Sequence, residues 1–256
     1  MKGMIDMTEK EYLHAIGTYA LKVYSTKKIL PSLPMAQAIL ETGHFKSSLF
    51  TKAFNLSGMK YKSGCGTGKI RMQTSEYYSK ATSVSKIASA YGMTVAEVCK
   101  LNNCKSTASL KGYVKVYDYF RKYKTLEKGL EGFYAFYGYS RYANLKGVKD
   151  YKKCYELIQK DGWATDPSYT KLLTSVRNSN KEIMDLYDKL ITCKTCKIVK
   201  DVALRSSMSI NKNTILTIKA GTSGVRVLKV YEGNWLKVWY EGKVGYIVKS
   251  KADNYK

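Results

Sequence analysis

Glu41 closes the run Met35-Ala-Gln-Ala-Ile-Leu-Glu41, and Gly43 follows two residues later. Met35, Ala36, Ala38, Ile39 and Leu40 point around nearly the whole circumference of a helix, so this helix is expected to be buried. A carboxylate at its end would be held partly out of water, which disfavours the charged form and raises the pKa. That is how a general acid stays protonated near neutral pH. The alternative is a solvated glutamate beside a C-terminal turn, mildly disfavoured by the helix dipole; the residue types alone leave both open. The thiols offer less chemistry. Cys193-Lys-Thr-Cys196 is the one close pair among six cysteines, and the histidines are His14 and His44. A zinc site needs more ligands, and a redox motif needs a βαβ setting that is absent. Free thiols, no metal and no cofactor are therefore expected.

The elements that must position Glu41 are legible from periodicity. Thr8-Glu-Lys-Glu11 has capping-box spacing, and Tyr12, Leu13, Ile16, Tyr19, Ala20 and Val23 follow at helical intervals, giving a helix over about residues 9–26. Ser32 and Pro34 open the second helix and Gly43 closes it. Gly64, Gly66 and Gly68 mark a mobile loop before a strand-like run, 69–78. Residues 83–103 read as two short helices, the first ended by Gly92 and the second opened by the capping box Thr94–Glu97. The alternation of 113–120 gives a second strand. Helices follow at about 125–138, 151–161 and 181–191, with one more opened by Asp166-Pro167 as N-cap and first turn. From Ile198 the period switches to two, marking a small all-β module of about 60 residues.

Six ordered runs shift the balance at Glu41. The run 36–43 followed by Asn55-Leu-Ser-Gly58-Met-Lys60, then Thr74-Ser-Glu76-Tyr77, Phe120-Arg-Lys-Tyr123, Ser140-Arg-Tyr142-Ala and Gly162-Trp163-Ala-Thr-Asp-Pro-Ser-Tyr169, resembles the signatures of glycoside hydrolase family 73. These are endo-β-N-acetylglucosaminidases of bacterial and phage autolysins. The resemblance implies an α+β, lysozyme-like, mainly helical catalytic domain with a small β-lobe, cleaving the bond between N-acetylglucosamine and N-acetylmuramic acid in peptidoglycan. It implies Glu41 as general acid and Glu76 as the second carboxylate, with Asp118 as the understudy; glycoside hydrolysis needs such a partner as base, nucleophile or stabiliser of an oxocarbenium-like transition state. Tyr142 matches a tyrosine that positions the sugar, although a core aromatic is an equal reading in a chain with 23 Tyr. Asn55, Gly58, Tyr123 and Trp163 are the implied substrate-binding positions.

Between Glu76 and Tyr142 the chain is about thirty residues longer than the family pattern. The extra text, residues 79–112, resembles the two-helix core of a LysM domain, which binds N-acetylglucosamine chains; a helical elaboration without a sugar site is the other reading. The end of the chain resembles a bacterial Src-homology-3-like wall-binding barrel: Val202-Ala-Leu-Arg-Ser206, Asn234-Trp235-Leu-Lys-Val238 and Gly242-Lys-Val-Gly-Tyr246 stand at its motif positions. Trp235 is expected in that barrel's core, because a domain this small needs its large aromatics inside. The expected organisation is a catalytic domain over 1–192, a linker at 193–197 and the barrel over 198–256.

Charge bears on the partner. Forty-four Lys and Arg against 20 Asp and Glu leave +24, with +8 in residues 197–256 and +16 before them. An even bias of this kind suits a polyanionic environment, and peptidoglycan strands with anionic wall polymers supply one. Nucleic acid is not expected, since no basic helix has groove-reading spacing. Membrane insertion is not expected either, because about 18 uninterrupted apolar residues are nowhere found. The N-terminus shows no apolar signal region. Synthesis in a host cytoplasm followed by release through a phage holin, or carriage on a phage tail, is therefore the expected route to the wall. An N-acetylmuramidase or lytic transglycosylase on the same fold, and a non-catalytic wall-binding virion protein, are the competing readings.

Overall fold

The computed structural model describes residues 7–211 and 213–255. Helix α1 (Glu9–Lys27) starts at the expected capping box: the Glu11 carboxylate accepts from the Thr8 N–H at 2.7 Å, and the Thr8 hydroxyl accepts from the Glu11 N–H at 3.3 Å. Its inner face buries Tyr12, Leu13, Ile16 and Ala20. Helix α2 (Ser32–Thr42) is buried all round, with Leu33, Met35, Ala36, Ala38 and Ile39 fully covered. Such a helix needs its polar groups matched internally. Asp188 accepts from the Ser32 N–H at 2.8 Å, the Tyr155 hydroxyl donates to the Ser32 carbonyl at 3.2 Å, and Gln37 spans the Tyr137 and Tyr169 hydroxyls at 2.5 and 3.1 Å.

Helix α3 (Ser48–Ala53) is capped by the Ser47 hydroxyl and leads to the glycine-rich loop. Strands β1 (Gly68–Ser83) and β2 (Ser109–Lys122) form one long antiparallel hairpin, in register from Gly68 opposite Lys122 to Ser83 opposite Ser109 with one irregularity between Tyr78 and Thr82. Both strands outrun their expected spans. Two short helices join them, α4 (Val84–Ala90) and α5 (Val95–Asn102), and pack Val84, Ile87, Met93 and Val98 on Val114 and Val116 of β2. Local apolar cover at the far end is what lets the hairpin extend.

Helix α6 (Leu126–Ala135) is followed by two 3-10 turns, Phe136–Gly138 and Ser140–Leu145, then α7 (Tyr151–Lys160), α8 (Tyr169–Ser179) and α9 (Lys181–Leu190). Helix α8 starts later than expected. The Asp166 carboxylate accepts from the Ser168 N–H at 2.7 Å, making a turn ahead of the helix rather than its cap.

The C-terminal strands are β3 (Thr195–Ile198), β4 (Val202–Arg205), β5 (Thr214–Ile218), β6 (Val225–Val230), β7 (Trp235–Tyr240), β8 (Lys243–Val248) and β9 (Ala252–Asp253). Their order in the sheet is β5-β4-β8-β7-β6-β3-β9. Two expectations change here. Residues 195–197 are strand, paired with β6 and β9, and not linker. The aliphatic side chains Leu204, Ile218, Val225, Leu236, Val238 and Ile247 fill the core, and Trp235 is only half-buried. Alternation along Trp235-Leu-Lys-Val-Trp239 gives Leu236 and Val238 the inner face. Trp239 is buried from the other side, its ring edge-on to Tyr187 of α9 at 5.9 Å.

The chain divides into two compact units, Glu41–Ala135 and the remainder, so the seven-stranded sheet and the helices α1 and α7–α9 belong to one unit. No helix among the described residues is long and apolar enough to cross a membrane.

Candidate active site

Glu41 is the penultimate residue of α2, and its side chain is exposed. Residues up to Ile39 saturate the buried surface, Leu40 is half-covered, and the carboxyl emerges beyond it. The expectation of a carboxyl kept out of water by its own helix is thus corrected: the apolar residues of α2 are buried and Glu41 is left exposed. The backbone just past Glu41 is unusual. Gly43, His44 and Phe45 lie in the left-handed region at φ +55°, +58° and +63°. For the two non-glycine residues this costs about 1–2 kcal/mol each. Three contacts hold the turn: the Phe45 N–H donates to the Thr42 hydroxyl at 2.9 Å, the Ser47 N–H to the Thr42 carbonyl at 2.9 Å, and the buried Phe45 ring packs on Phe50 at 5.4 Å. Strain that the surrounding structure over-determines is typical of functional sites.

The Asn55–Lys60 segment builds the second part of the same unit. Asn55 is 2 % exposed, and its amide is consumed by backbone: Nδ2 donates to the carbonyls of Met59 and Arg121 at 2.8 and 3.0 Å, and Oδ1 accepts from the Met59 N–H at 2.9 Å. Gly58, at φ +65°, makes the turn possible. Both residues implied as substrate contacts therefore shape the loop, and Asn55 offers a substrate nothing. Residues 59–61 then run beside β2, with Lys60 bridged to Phe120 and the Arg121 N–H donating to the Met59 carbonyl.

That placement puts Lys60 over the hairpin. Its Nζ lies 2.5 Å from Glu76 Oε1 and 2.8 Å from Asp118 Oδ2. Glu76 and Asp118 share one face of the hairpin, because Glu76 is two pleats from Met72, the partner of Asp118. Burial pulls the Lys60 pKa down, yet the hydrogen bonds to Asp118 and Glu76 outweigh it and the net shift is upward. Tyr91, just past α4, completes the cluster: the ammonium stands 5.8 Å from its ring centre, and burial, Tyr78 and the Glu76 charge push its hydroxyl up to about 12. The segment just past α4 thus stands beside the Lys60–Glu76 pair. Lys60, which closes the quoted Asn55–Lys60 motif, is the residue of this cluster that the sequence reading did not single out. Tyr123 is buried, and its hydroxyl donates to Met59 Sδ at 3.2 Å.

Tyr142 and Trp163 belong to the other unit and come together there. Tyr142 is 1 % exposed, so the core reading describes it: its ring lies beneath Arg141 at 4.7 Å and tilted to Trp163 at 5.7 Å. Trp163 is half-buried, stacked on Tyr137 at 5.9 Å and edge-on to Phe136 at 5.4 Å. The exposed Tyr139 continues this aromatic shelf against Phe136 at 5.9 Å. Such faces suit the apolar side of a sugar ring. Among the described residues no three His, Cys, Asp or Glu side chains gather as a metal site, and all six cysteines are unpaired.

An exposed carboxyl on a strained turn and a pair of carboxylates held by a lysine lie in one unit, and the aromatic shelf lies in the other. The family described as mannosyl-glycoprotein endo-beta-N-acetylglucosaminidase matches residues 17–182, and the chain belongs to this glucosaminidase family. It is 26% identical over 190 residues to the exo-glucosaminidase LytG of Bacillus subtilis, covering 71% of this chain and 54% of that protein. The chain thus spans about half the length of this curated relative. The catalytic domain of the autolysin Auto from Listeria monocytogenes shares the fold, at a TM-score of 0.50 and 22% identity over 71% of this chain and 88% of that one.

Proposed function

We propose that the chain hydrolyses the β-1,4 bond between N-acetylglucosamine and N-acetylmuramic acid in bacterial peptidoglycan. The observation that carries this is Glu41, exposed on its strained turn inside the segment matched by the glucosaminidase family. The Glu41 carboxyl gives its proton to the glycosidic oxygen as the bond to the anomeric carbon breaks, and water then supplies hydroxyl to that carbon and a proton back to the carboxylate. Glu76, with Asp118 beside it, places negative charge where positive charge develops on the sugar, and Lys60 fixes both. The substrate carries peptide carboxylates and the surrounding wall carries anionic polymers, which suits a chain of charge +24.

The rest of the molecule fits the same wall-directed role. The α4–α5 insert on its hairpin is LysM-like in order, and the exposed pair Tyr77 and Tyr113 offers rings to a glycan. The C-terminal strands serve as a Src-homology-3-like wall-binding barrel. A phage lysin, released by a holin or carried on a tail, is the biological setting we infer. An N-acetylmuramidase or lytic transglycosylase would use the same acid on the other bond. Mass spectrometry of muropeptides from digested wall decides among them. Reducing-end N-acetylglucosamine supports the proposal, whereas reducing-end or anhydro-N-acetylmuramic acid overturns it. Fragment length separates endo from exo action, the mode named in the Bacillus relative.

A further inference from the structure

A cavity of about 480 Å³ lies within the Glu41–Ala135 unit, between the glycine-rich turn 65–68, the end of β2 and one face of α6. Its shape depends on missing side chains. A Cβ on Gly132 would stand 2.2 Å from the Tyr123 hydroxyl, so glycine alone lets that ring lie against α6. Gly64 and Gly66, at φ +77° and +70°, fold the turn over the opening.

The walls carry Arg121, Lys122, Lys124 and Lys128 against a single acid, Glu131. Glu131 is taken by Lys128 at 2.7 Å. Arg121, Lys122 and Lys124 enter no ion pair among the described residues, so three cationic residues of the lining are without a counter-ion. Arg121 gives a second, independent sign, because its Nε is buried without a hydrogen-bond partner. A buried donor left unmade costs about 1–3 kcal/mol, more when charged, and an arriving acceptor recovers it. Cys65 reports the same field: the Thr67 hydroxyl first, and backbone contacts and the Arg121 charge further, draw its thiol down to about 7.

We propose that this cavity binds the phosphate groups of a polyol-phosphate or sugar-phosphate chain. Its volume falls within the usual 300–1,000 Å³ of ligand sites. Arginine and lysine together suit a phosphate's several oxygens. A neutral N-acetylhexosamine would leave all three charges unused, and one carboxylate would answer one of them. Successive phosphodiesters answer more. This inference goes beyond the hydrolase reading and does not need Glu41 to be catalytic.

The test uses the full chain and follows the rate at which iodoacetamide alkylates Cys65, read by peptide mass spectrometry, as inorganic phosphate or a synthetic glycerol-phosphate hexamer is added. The hexamer is expected to slow Cys65 alkylation saturably, at least fivefold, and to half-saturate at a concentration roughly tenfold below that of inorganic phosphate. The exposed double variant K122A/K124A should raise the hexamer's half-saturation about tenfold, while K197A/K200A in the barrel should leave it unchanged. Absent protection overturns the site. Equal potency of phosphate and hexamer overturns the chain as ligand, and equal loss in the barrel variant reduces the effect to overall charge. None of these readouts involves bond cleavage, so a failure here is distinct from a failure of the glycosidase proposal.

Discussion

The end of α2 and the middle of β1 each present a carboxylate, and they treat it in opposite ways. Glu41 is exposed, placed by a helix buried behind it and a left-handed turn ahead of it. Glu76 is half-buried and shares the Lys60 ammonium with Asp118. Position is fixed by backbone in the first case and by charge in the second. In the proposed mechanism the first hands over a proton and suits a backbone hold, and the second supplies a field and can be held by an ion pair.

The sharpest way to break this comparison is Glu41→Gln. Wall hydrolysis, followed as turbidity loss, should fall about 10³-fold, the usual weight of a general acid. An exposed position predicts a stability change within about 0.5 kcal/mol by urea titration. Activity near the parent level would remove Glu41 from its role. Next in size is Gln37→Leu, which strips the Tyr137 and Tyr169 hydroxyls of their buried partner. Unfolding free energy should drop about 2–4 kcal/mol. If Gln37 only supports the helix, kcat of the folded enzyme at low temperature should stay within about twofold.

Lys60→Met tests the other carboxylate. It leaves Glu76 and Asp118 facing each other without their cation, and activity should fall roughly 10–100-fold. The double variant Lys60→Met/Asp118→Asn removes the repulsion and should recover part of that loss. Additive losses would show that Lys60 does not act through the pair. The smallest effect concerns acid. The Arg71 hydrogen bond, followed by the Thr94 backbone, holds the Glu97 carboxyl at about 2, below its ordinary 4.5. A depressed carboxyl stabilises the fold above its unfolded value and ceases to as pH falls through the folded one. Protection of the α5 amides, corrected for their intrinsic exchange rates, should therefore be steady above about pH 4.5 and fall toward pH 2, and Glu97→Gln should flatten that dependence.

Much of this was legible in advance, where local chemistry decides. The capping boxes at Thr8 and Thr94 and the all-round apolar face of α2 each named an element that formed. The failures share a cause: they needed a partner distant in sequence. Glu41 could not be known as exposed without knowing where the cover over α2 stops. Lys60 looked like the tail of a motif until Asp118, nearly sixty positions on, met it across the hairpin. Tyr142 and Asn55 fit a family pattern, but only the fold shows that one is packed away and the other bound to backbone. Trp235 failed on alternation, a rule that was available but yielded to the size argument.

The docking of the C-terminal sheet has a mechanical consequence. Trp239 turns away from its own sheet to meet Tyr187, the Arg226 guanidinium donates to the Leu190 carbonyl at 2.5 Å, and Gly242 passes close to Thr18. A module on a slack leash sweeps a volume set by the length of that leash. This one is bolted to α1 and α9 and sweeps nothing. A ligand on this sheet, as the proposed wall-binding role requires, would be presented to those helices at one angle, so reach is given up in exchange for aim.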